Sequence, residues 1–577
     1  MQKDNGWEMI NKSQNLKLPP KARLAKGGKT KNLRIEEIIS VVLANRGIKT
    51  KKEKEEFLNP DLSKVTPDSV GIDSKQLSLS LVRIKKAIEN QEQIVVFGDY
   101  DVDGICGAAI LWETLDSLGA KVLPYIPHRV EEGYGLSKVG ISNLIRSTSS
   151  GQISNVKLII TVDNGIVAND AVEFAKKHLI DVIITDHHVA KAELPKAFAI
   201  VHTTKLCGAG VAYLLSQAIF NFQFSISNKM PGDHLALVAL ATVADLVPLV
   251  GANRTLLKFG LEELRKTERP GLLALFEEAG IDKETIDTYE IGHVIAPRLN
   301  AMGRLESAMD SLRLLCTKDK QRAKKLALML GSVNRERQMV TQDSVAHAKS
   351  HVMENKLHDK KLLFVVHESY NPGVIGLVAG KLVEEFYRPA IVLSKGEKYT
   401  KASARSIAGF NMVEFIRSAS EFLVDAGGHP MAAGFTVETE KIEDLKKKLE
   451  EMAEKLLGDE SFVRKVRIDM ELPFSFIGTE LYEALEKLSP FGMANPKPVF
   501  LTKKVVIEDM RLVGADGKHV KLKVKSGKAE FEAIAFGMGE KSSKFQMGDE
   551  VSIVYTIEEE VWNGNKKLQI KIKDAML

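Results

Sequence analysis

Between about residues 80 and 250, short apolar runs alternate with segments of helical period. Gln93–Phe97, Lys121–Ile126, Lys157–Val162, Asp181–Thr185 and Phe198–His202 each read as a buried strand bounded by polar or glycine-containing turns. Amphipathic stretches such as Cys106–Leu118 and Asn169–His178 lie between them. Strand and helix in alternation require crossover connections, so the pattern predicts an α/β fold with a mostly parallel sheet and helices on both faces. Function in such sheets sits at the carboxyl ends of the strands. Residues 318 to about 356 hold no Gly or Pro except Gly331, and Leu326, Leu330, Val333 and Val340 recur at helical spacing, which predicts one long connecting helix. A second α/β block runs from Lys361 to about Leu457. From about residue 465 the chain is β-rich, with runs at Val499–Ile507, His519–Val524, Phe531–Ala535, Val551–Ile557 and Leu568–Ile572 that predict a small barrel. The expected organisation is an N-terminal extension (1–79), a parallel-sheet domain (80–317), the connecting helix (318–358), a second α/β domain (359–460) and the barrel (461–577).

Composition sharpens this picture without changing it. At roughly 150 residues per domain, 577 residues correspond to three or four domains. Lys and Arg number 81 against 76 Asp and Glu, a net charge of +5. A balance so near neutrality argues against a tail-driven polyanion binder, so any anionic partner must be held by local clusters. Cys106, Cys207 and Cys316 are far apart and match no metal-ligand spacing, which excludes a disulfide scaffold and fits a reducing cytoplasm. Met1–Ser13 has no apolar signal core, and the longest apolar stretch, Leu235–Ala244, stops at Asp245, far short of the roughly 20 residues a membrane span needs. The expectation is a cytoplasmic protein without a membrane partner. Residues 1–33, polar and basic, read as a mobile leader.

Chemistry concentrates where strands end. The first strand runs into Gly98-Asp99-Tyr100-Asp101-Val102-Asp103-Gly104, three carboxylates at alternate positions. In extended backbone alternation turns Asp99, Asp101 and Asp103 to one side, where their charges repel unless a cation or water intervenes. A solvated acidic turn uses the same pattern. Two further strands end in Thr161-Val162-Asp163-Asn164-Gly165 and Thr185-Asp186-His187-His188, and Asp245 is the charged residue of an otherwise apolar helical segment. Carboxylates with imidazoles and no thiolate favour Mn²⁺ or Mg²⁺ over structural zinc. With this many carboxylates two ions are plausible, and paired ions about 3.5–4 Å apart suit in-line displacement at phosphorus, so phosphoester hydrolysis is the expected reaction.

At Asp186-His187-His188 the chain resembles the DHH phosphoesterase superfamily, whose four motifs correspond to Asp101-Val102-Asp103, Asp163, Asp186-His187-His188 and Asp245. Ala426-Gly427-Gly428-His429 is similar to the signature of the associated DHHA1 domain. IPHRVEEGYGL (126–136), LCGAGVAY (206–213), APRLNAMGR (296–304), NPGVIGLVAGKL (371–382), SARSIAGF (403–410) and SPFGMANPKPVF (489–500) resemble the bacterial single-strand-specific 5′ to 3′ DNA exonucleases of that superfamily. The resemblance covers roughly residues 80–577 and implies that the barrel is an OB-fold. It implies two ions: Asp101 and Asp103 each ligate one, Asp163 bridges them, and His187 and Asp245 complete the second. His188 would face the scissile phosphate with Asp186 orienting an imidazole. Relatives of the pyrophosphatase type carry a histidine ligand where this chain has Phe97, and Asp99 is the natural substitute. The implied partners are single-stranded DNA, a helicase and a single-strand-binding protein. A phosphodiesterase for short oligoribonucleotides or cyclic dinucleotides, and a non-catalytic DNA-binding scaffold, are the competing readings.

For the DNA path, Arg129, Arg298, Arg304 and Arg405 stand in apolar or glycine-rich motifs, where guanidinium can meet phosphate in bidentate geometry. A structural salt bridge to a nearby Glu is the alternative for each. Asn300 is expected to join them. Ser403 and Arg405 are placed to bind a 5′-terminal phosphate with His429, while Gly427 and Gly428 would admit a strand backbone. On the barrel, Lys521, Lys523 and Lys525 alternate with Val520, Leu522 and Val524, which reads as a basic face over a core face. Aromatics are only 6%, leaving Tyr134 or Trp562 for base stacking.

Overall fold

The computed structural model describes residues 6–10, 29–129, 131–149, 155–223, 233–562 and 565–577. The chain divides into two compact units: residues 66–245 with 259–464, and residues 1–65 with 246–258 and 465–577.

The larger unit holds two sheets. The first is wholly parallel, in the order Val122–Tyr125, Gln93–Gly98, Val156–Val162, Asp181–Asp186, Ala199–His202. Ile94, Val95, Val96 and Phe97 are fully buried, as a strand covered by helices on both faces must be. The chain enters at Gln93–Gly98, adds a strand on one side and then crosses to Val156–Val162 on the other. This reversal opens a crevice at the carboxyl ends of those two strands, where Asp99 and Asp163 stand. The second sheet is mixed, in the order Leu423–His429, Ala432–Glu438, Tyr399–Arg405, Ala390–Ser394, Leu363–His367, with only the last pair parallel. Between the sheets runs the helix Lys320–Glu354, about 50 Å long at 1.5 Å per residue. Asp319 caps it by accepting from the amides of Gln321 and Arg322.

The smaller unit is a closed five-stranded barrel. Phe500–Val513 pairs with His519–Ser526 on one side and Glu550–Trp562 on the other, and Ala529–Ala535 and Asn565–Met576 complete the ring. Its core, around Phe474, Phe500 and Tyr555, is extended by Ile38, Val41, Val42 and Leu43 of the helix Lys29–Asn45.

Within the segment read as a mobile leader, Trp7–Met9 is tied to the barrel unit. Trp7–Met9 forms a strand parallel to Val466–Ile468, and Trp7 Nε1 donates to Asp574 at 2.7 Å. Residues 11–28 lie outside the described residues. The inserted segment 246–258 belongs to the barrel unit through Arg254, which is buried against the Phe57 ring and donates to the carbonyls of Phe57, Leu488 and Ser489. Among the described residues, no helix is long and apolar enough to cross a membrane.

Candidate active site

The acidic loop is shaped by its own backbone. Asp101 caps the helix Val102–Ser117, its carboxylate accepting from the amides of Asp103 and Gly104 at 3.0 and 3.1 Å. This capping turn sends Asp103 inward, where its two oxygens accept from the amides of Gly208 and Ala209 at 2.6 and 2.7 Å. A side chain at Gly208 would bring Cβ within 2.6 Å of Asp163 Cβ, so the approach requires glycine. Asp163 itself has φ +63°, a left-handed conformation rare outside glycine and found where function demands it.

Asp186 orders the paired histidines. One of its oxygens accepts from the amides of His187 and His188 and from His188 Nδ1 at 2.8 Å, and the other accepts from the Ile166 amide. His187 is thereby turned inward, with Nε2 at 3.1 Å from Asp163, 3.5 Å from Asp245 and 3.6 Å from Asp103. Asp99, Asp101 and Asp163 bring one oxygen each within 4.8 Å of one another, and Asp103, His187 and Asp245 form a second such group. Asp163 touches both. Asp99 Oδ1, Asp163 Oδ1 and His187 Nε2 are buried without a hydrogen-bond partner.

Electrostatically, this centre is poised against itself. Burial, then Asp101, holds Asp99 well above the usual carboxylate range, and burial with Asp103 and Asp101 does the same to Asp163. Asp245 is pushed up to about 9 by burial, Asp103 and Asp101. His187 is lowered by burial. For His188 burial opposes the charged ring, but the Asp186 hydrogen bond outweighs it and the imidazole sits above its ordinary value. Tyr134, about half exposed, lies over the centre with its hydroxyl 3.3 Å from His188 Nε2 and from the Asp163 carbonyl. The His429 ring stacks at 5.7 Å from that of His188.

Ser403 and Arg405 do share one side of their strand, with Arg405 Nη1 donating to Ser403 Oγ at 3.1 Å. Ala432 pairs with both Arg405 and His429, which sets those two residues in one row across three strands. Arg129 lies over the Tyr100 ring at 4.9 Å, and Arg304 donates to the Gly373 carbonyl. Burial and then the charges of Arg129, Arg337 and Arg405 push Arg304 down to about 10. Among the described residues no carboxylate pairs with any of these four arginines. Arg337, from the long helix, carried no sequence signal beyond its charge.

Other expectations are corrected. Arg298 turns away to an ion pair with Glu278 at 2.8 Å, which Arg335 shares. Asn300 supports the acidic loop, its side-chain oxygen accepting from the Val102 amide. Gly428 is explained within the sheet, since a Cβ there would meet the Ala432 carbonyl at 2.4 Å, whereas Gly427 faces open space. Lys521, Lys523 and Lys525 pair with Glu532, Glu530 and Glu508 from the neighbouring strands and do not form a bare basic face. The side chain of Trp562 lies outside the described residues. The sequence reading also missed Asn164, which donates to the Phe97 and Val162 carbonyls and accepts from the Leu136 amide, tying the Tyr134 loop to the sheet edge.

Three family models match the chain: the DHH family N-terminal domain over residues 93–242, the DHHA1 domain over 359–455 and the RecJ OB domain over 468–574. The single-stranded-DNA-specific exonuclease RecJ of Bacillus subtilis is 38% identical over 558 residues, covering 95% of this chain and 69% of its own. RecJ of Salmonella typhimurium is 30% identical, covering 92% and 94%. The crystal structure of RecJ from Thermus thermophilus in complex with Mn²⁺ superposes with a TM-score of 0.79 at 29% identity, over 95% of this chain and 77% of that one. Three domain matches in the same order, together with identity extending through nearly the whole chain, establish that the protein belongs to the RecJ family of single-stranded-DNA-specific exonucleases.

Proposed function

We propose that this chain is a metal-dependent exonuclease that degrades single-stranded DNA from its 5′ end and releases 5′-mononucleotides. The observation that carries the reading is the set of buried ligand atoms on Asp99, Asp163 and His187 that make no hydrogen bond, a donor set of hard oxygens and imidazole that fits Mn²⁺ or Mg²⁺. Asp99, Asp101 and Asp163 would hold one ion, and Asp103, His187 and Asp245, with Asp163 shared, the other. When bound, such ions lower the pKa of water and stabilise charge on phosphate oxygens.

The chain's own residues supply positioning and proton control. Asp186 fixes the Nδ1 side of His188, so Nε2 is the edge offered to the scissile phosphate, and the same carboxylate stabilises the charged imidazole. Arg129, Arg304, Ser403, Arg405 and His429 would hold the 5′-terminal phosphate. Val374 offers no side-chain cap to the helix Ile375–Phe386, and with the Leu377 amide donating to the Val374 carbonyl the amides of Ile375 and Gly376 are left for the same anion. Phosphate contacts make binding sequence-independent. The substrate implies a helicase and a single-strand-binding protein as companions, and the three free thiols fit a reducing, cytoplasmic compartment.

A phosphodiesterase of short oligoribonucleotides or cyclic dinucleotides is not favoured, because it leaves the barrel without a role. The test is a 5′-labelled single strand of about 40 nucleotides, long enough to overfill a single-strand groove, incubated with Mn²⁺ beside 3′-labelled and duplex controls. Label released at once as mononucleotide from the 5′-labelled strand, with duplex resistant, is expected. Activity confined to substrates of a few nucleotides would overturn the reading.

A further inference from the structure

A groove of about 430 Å³ leads away from Arg405 between the long helix and the helix Ile375–Phe386. Arg337, Gln338 and Thr341 line one wall, and Gly376, Gly380 and Lys381 the other. A Cβ at Gly380 would meet nothing within 4 Å, so the second wall is bare backbone there, and one at Gly376 would lie 2.8 Å from the Arg405 guanidinium. Arg337 donates one hydrogen bond, to Asn334, while its Nε is buried without a partner. Nothing in the proposed 5′-monophosphate site uses this guanidinium, which is half-buried, and a partly desolvated cation with no carboxylate partner among the described residues favours an anion beside it. The groove has no aromatic side chain on which a base could stack. Glu384, a carboxylate among the lining residues, is engaged by Lys381.

We propose that this groove is a polyphosphate subsite: it receives the outer phosphates of a strand whose 5′ end carries a di- or triphosphate, with Arg337 as the anchoring cation. The inference rests on the 5′-end reading of Ser403 and Arg405. It extends the substrate class to 5′-polyphosphorylated single strands, whose first product differs from that of other strands. Water adds its oxygen to the phosphorus of the first internucleotide linkage, the bond from that phosphorus to O3′ breaks, and O3′ leaves with a proton. A nucleoside 5′-triphosphate is released, and the shortened strand keeps a 5′-monophosphate.

The test compares 5′-monophosphorylated and 5′-triphosphorylated strands of one sequence, with Mn²⁺, for the wild type, Arg337→Ala and Arg337→Lys. The wild type is expected to release nucleoside triphosphate directly, with kcat/KM for the two strands within about tenfold. Arg337→Ala should lower kcat/KM for the triphosphorylated strand at least tenfold more than for the monophosphorylated one, roughly the worth of one lost charge-assisted contact, and Arg337→Lys should recover part of that loss. Turnover of the monophosphorylated strand reports that each variant is folded. A wild type that resists the triphosphorylated strand, or an alanine variant that slows both strands equally, overturns the subsite. A wild type that degrades neither strand overturns the exonuclease reading itself.

Discussion

At Asp163 three demands meet on one side chain: a left-handed backbone, contact with the Gly208 backbone, and a carboxylate shared between two groups of ligand atoms. Each is costly alone, and together they make sense only if the oxygen must stand at one place. Asp163→Ala is expected to reduce turnover on the order of a thousandfold or more while changing single-strand affinity by less than about threefold, since the arginines that would hold phosphate lie elsewhere. Steady-state turnover beside fluorescence anisotropy checks both halves. Near wild-type turnover with Mn²⁺ would sink the shared-ligand assignment. At Asp186 one oxygen accepts from the amides of His187 and His188 and from His188 Nδ1, which aims the paired histidines, while the other is held by the Ile166 amide.

Among the elements, the helix Val102–Ser117 carries both chemistry and its foundation. Asp101 caps its N-terminus and its first turn holds Asp103, and further along Glu113 receives His234 at 3.0 Å and Arg269 at 2.5 and 3.0 Å, while Arg269 also pairs with Asp233 at 2.7 Å. Burial alone would raise Glu113, but these donors bring it down from 4.5 to about 2. A carboxylate depressed in the folded state stabilises fully above its unfolded value, and this contribution fades as pH falls from about 4.5 toward 2. Glu113→Gln is therefore expected to cost about 3 kcal/mol at neutral pH, with the gap to wild type narrowing across that acid window. Denaturant unfolding at stepped pH values checks it, and a gap that stays constant would remove the ionic explanation.

At the scale of the whole molecule, a net charge of +5 conceals which cations are available. The Lys521, Lys523 and Lys525 ladder is internally neutralised, whereas Arg129, Arg304 and Arg405 have no carboxylate partner among the described residues. Log affinity for a single strand should fall linearly with log salt, and Arg405→Ala should reduce the slope by about 0.7, the value for one phosphate contact. Replacing the three lysines together by alanine should leave the slope nearly unchanged. The reverse ranking would restore the barrel strand as the principal electrostatic surface. The chain's local patterns had already determined the parallel strands, the long helix, the five barrel runs and the metal-type chemistry at the strand tips, because periodicity and side-chain chemistry are carried within a few neighbouring residues. Tertiary structure alone decided that Arg298 is spent on Glu278 while Arg304 is not, that lysines at perfect alternation meet glutamates from two other strands, that Trp7–Met9 joins the barrel unit, and that Gly208 must be bare beside Asp163. The physical reason is the same in each case: whether a charge or a glycine is functional depends on what stands a few ångströms away, and those neighbours come from distant parts of the chain.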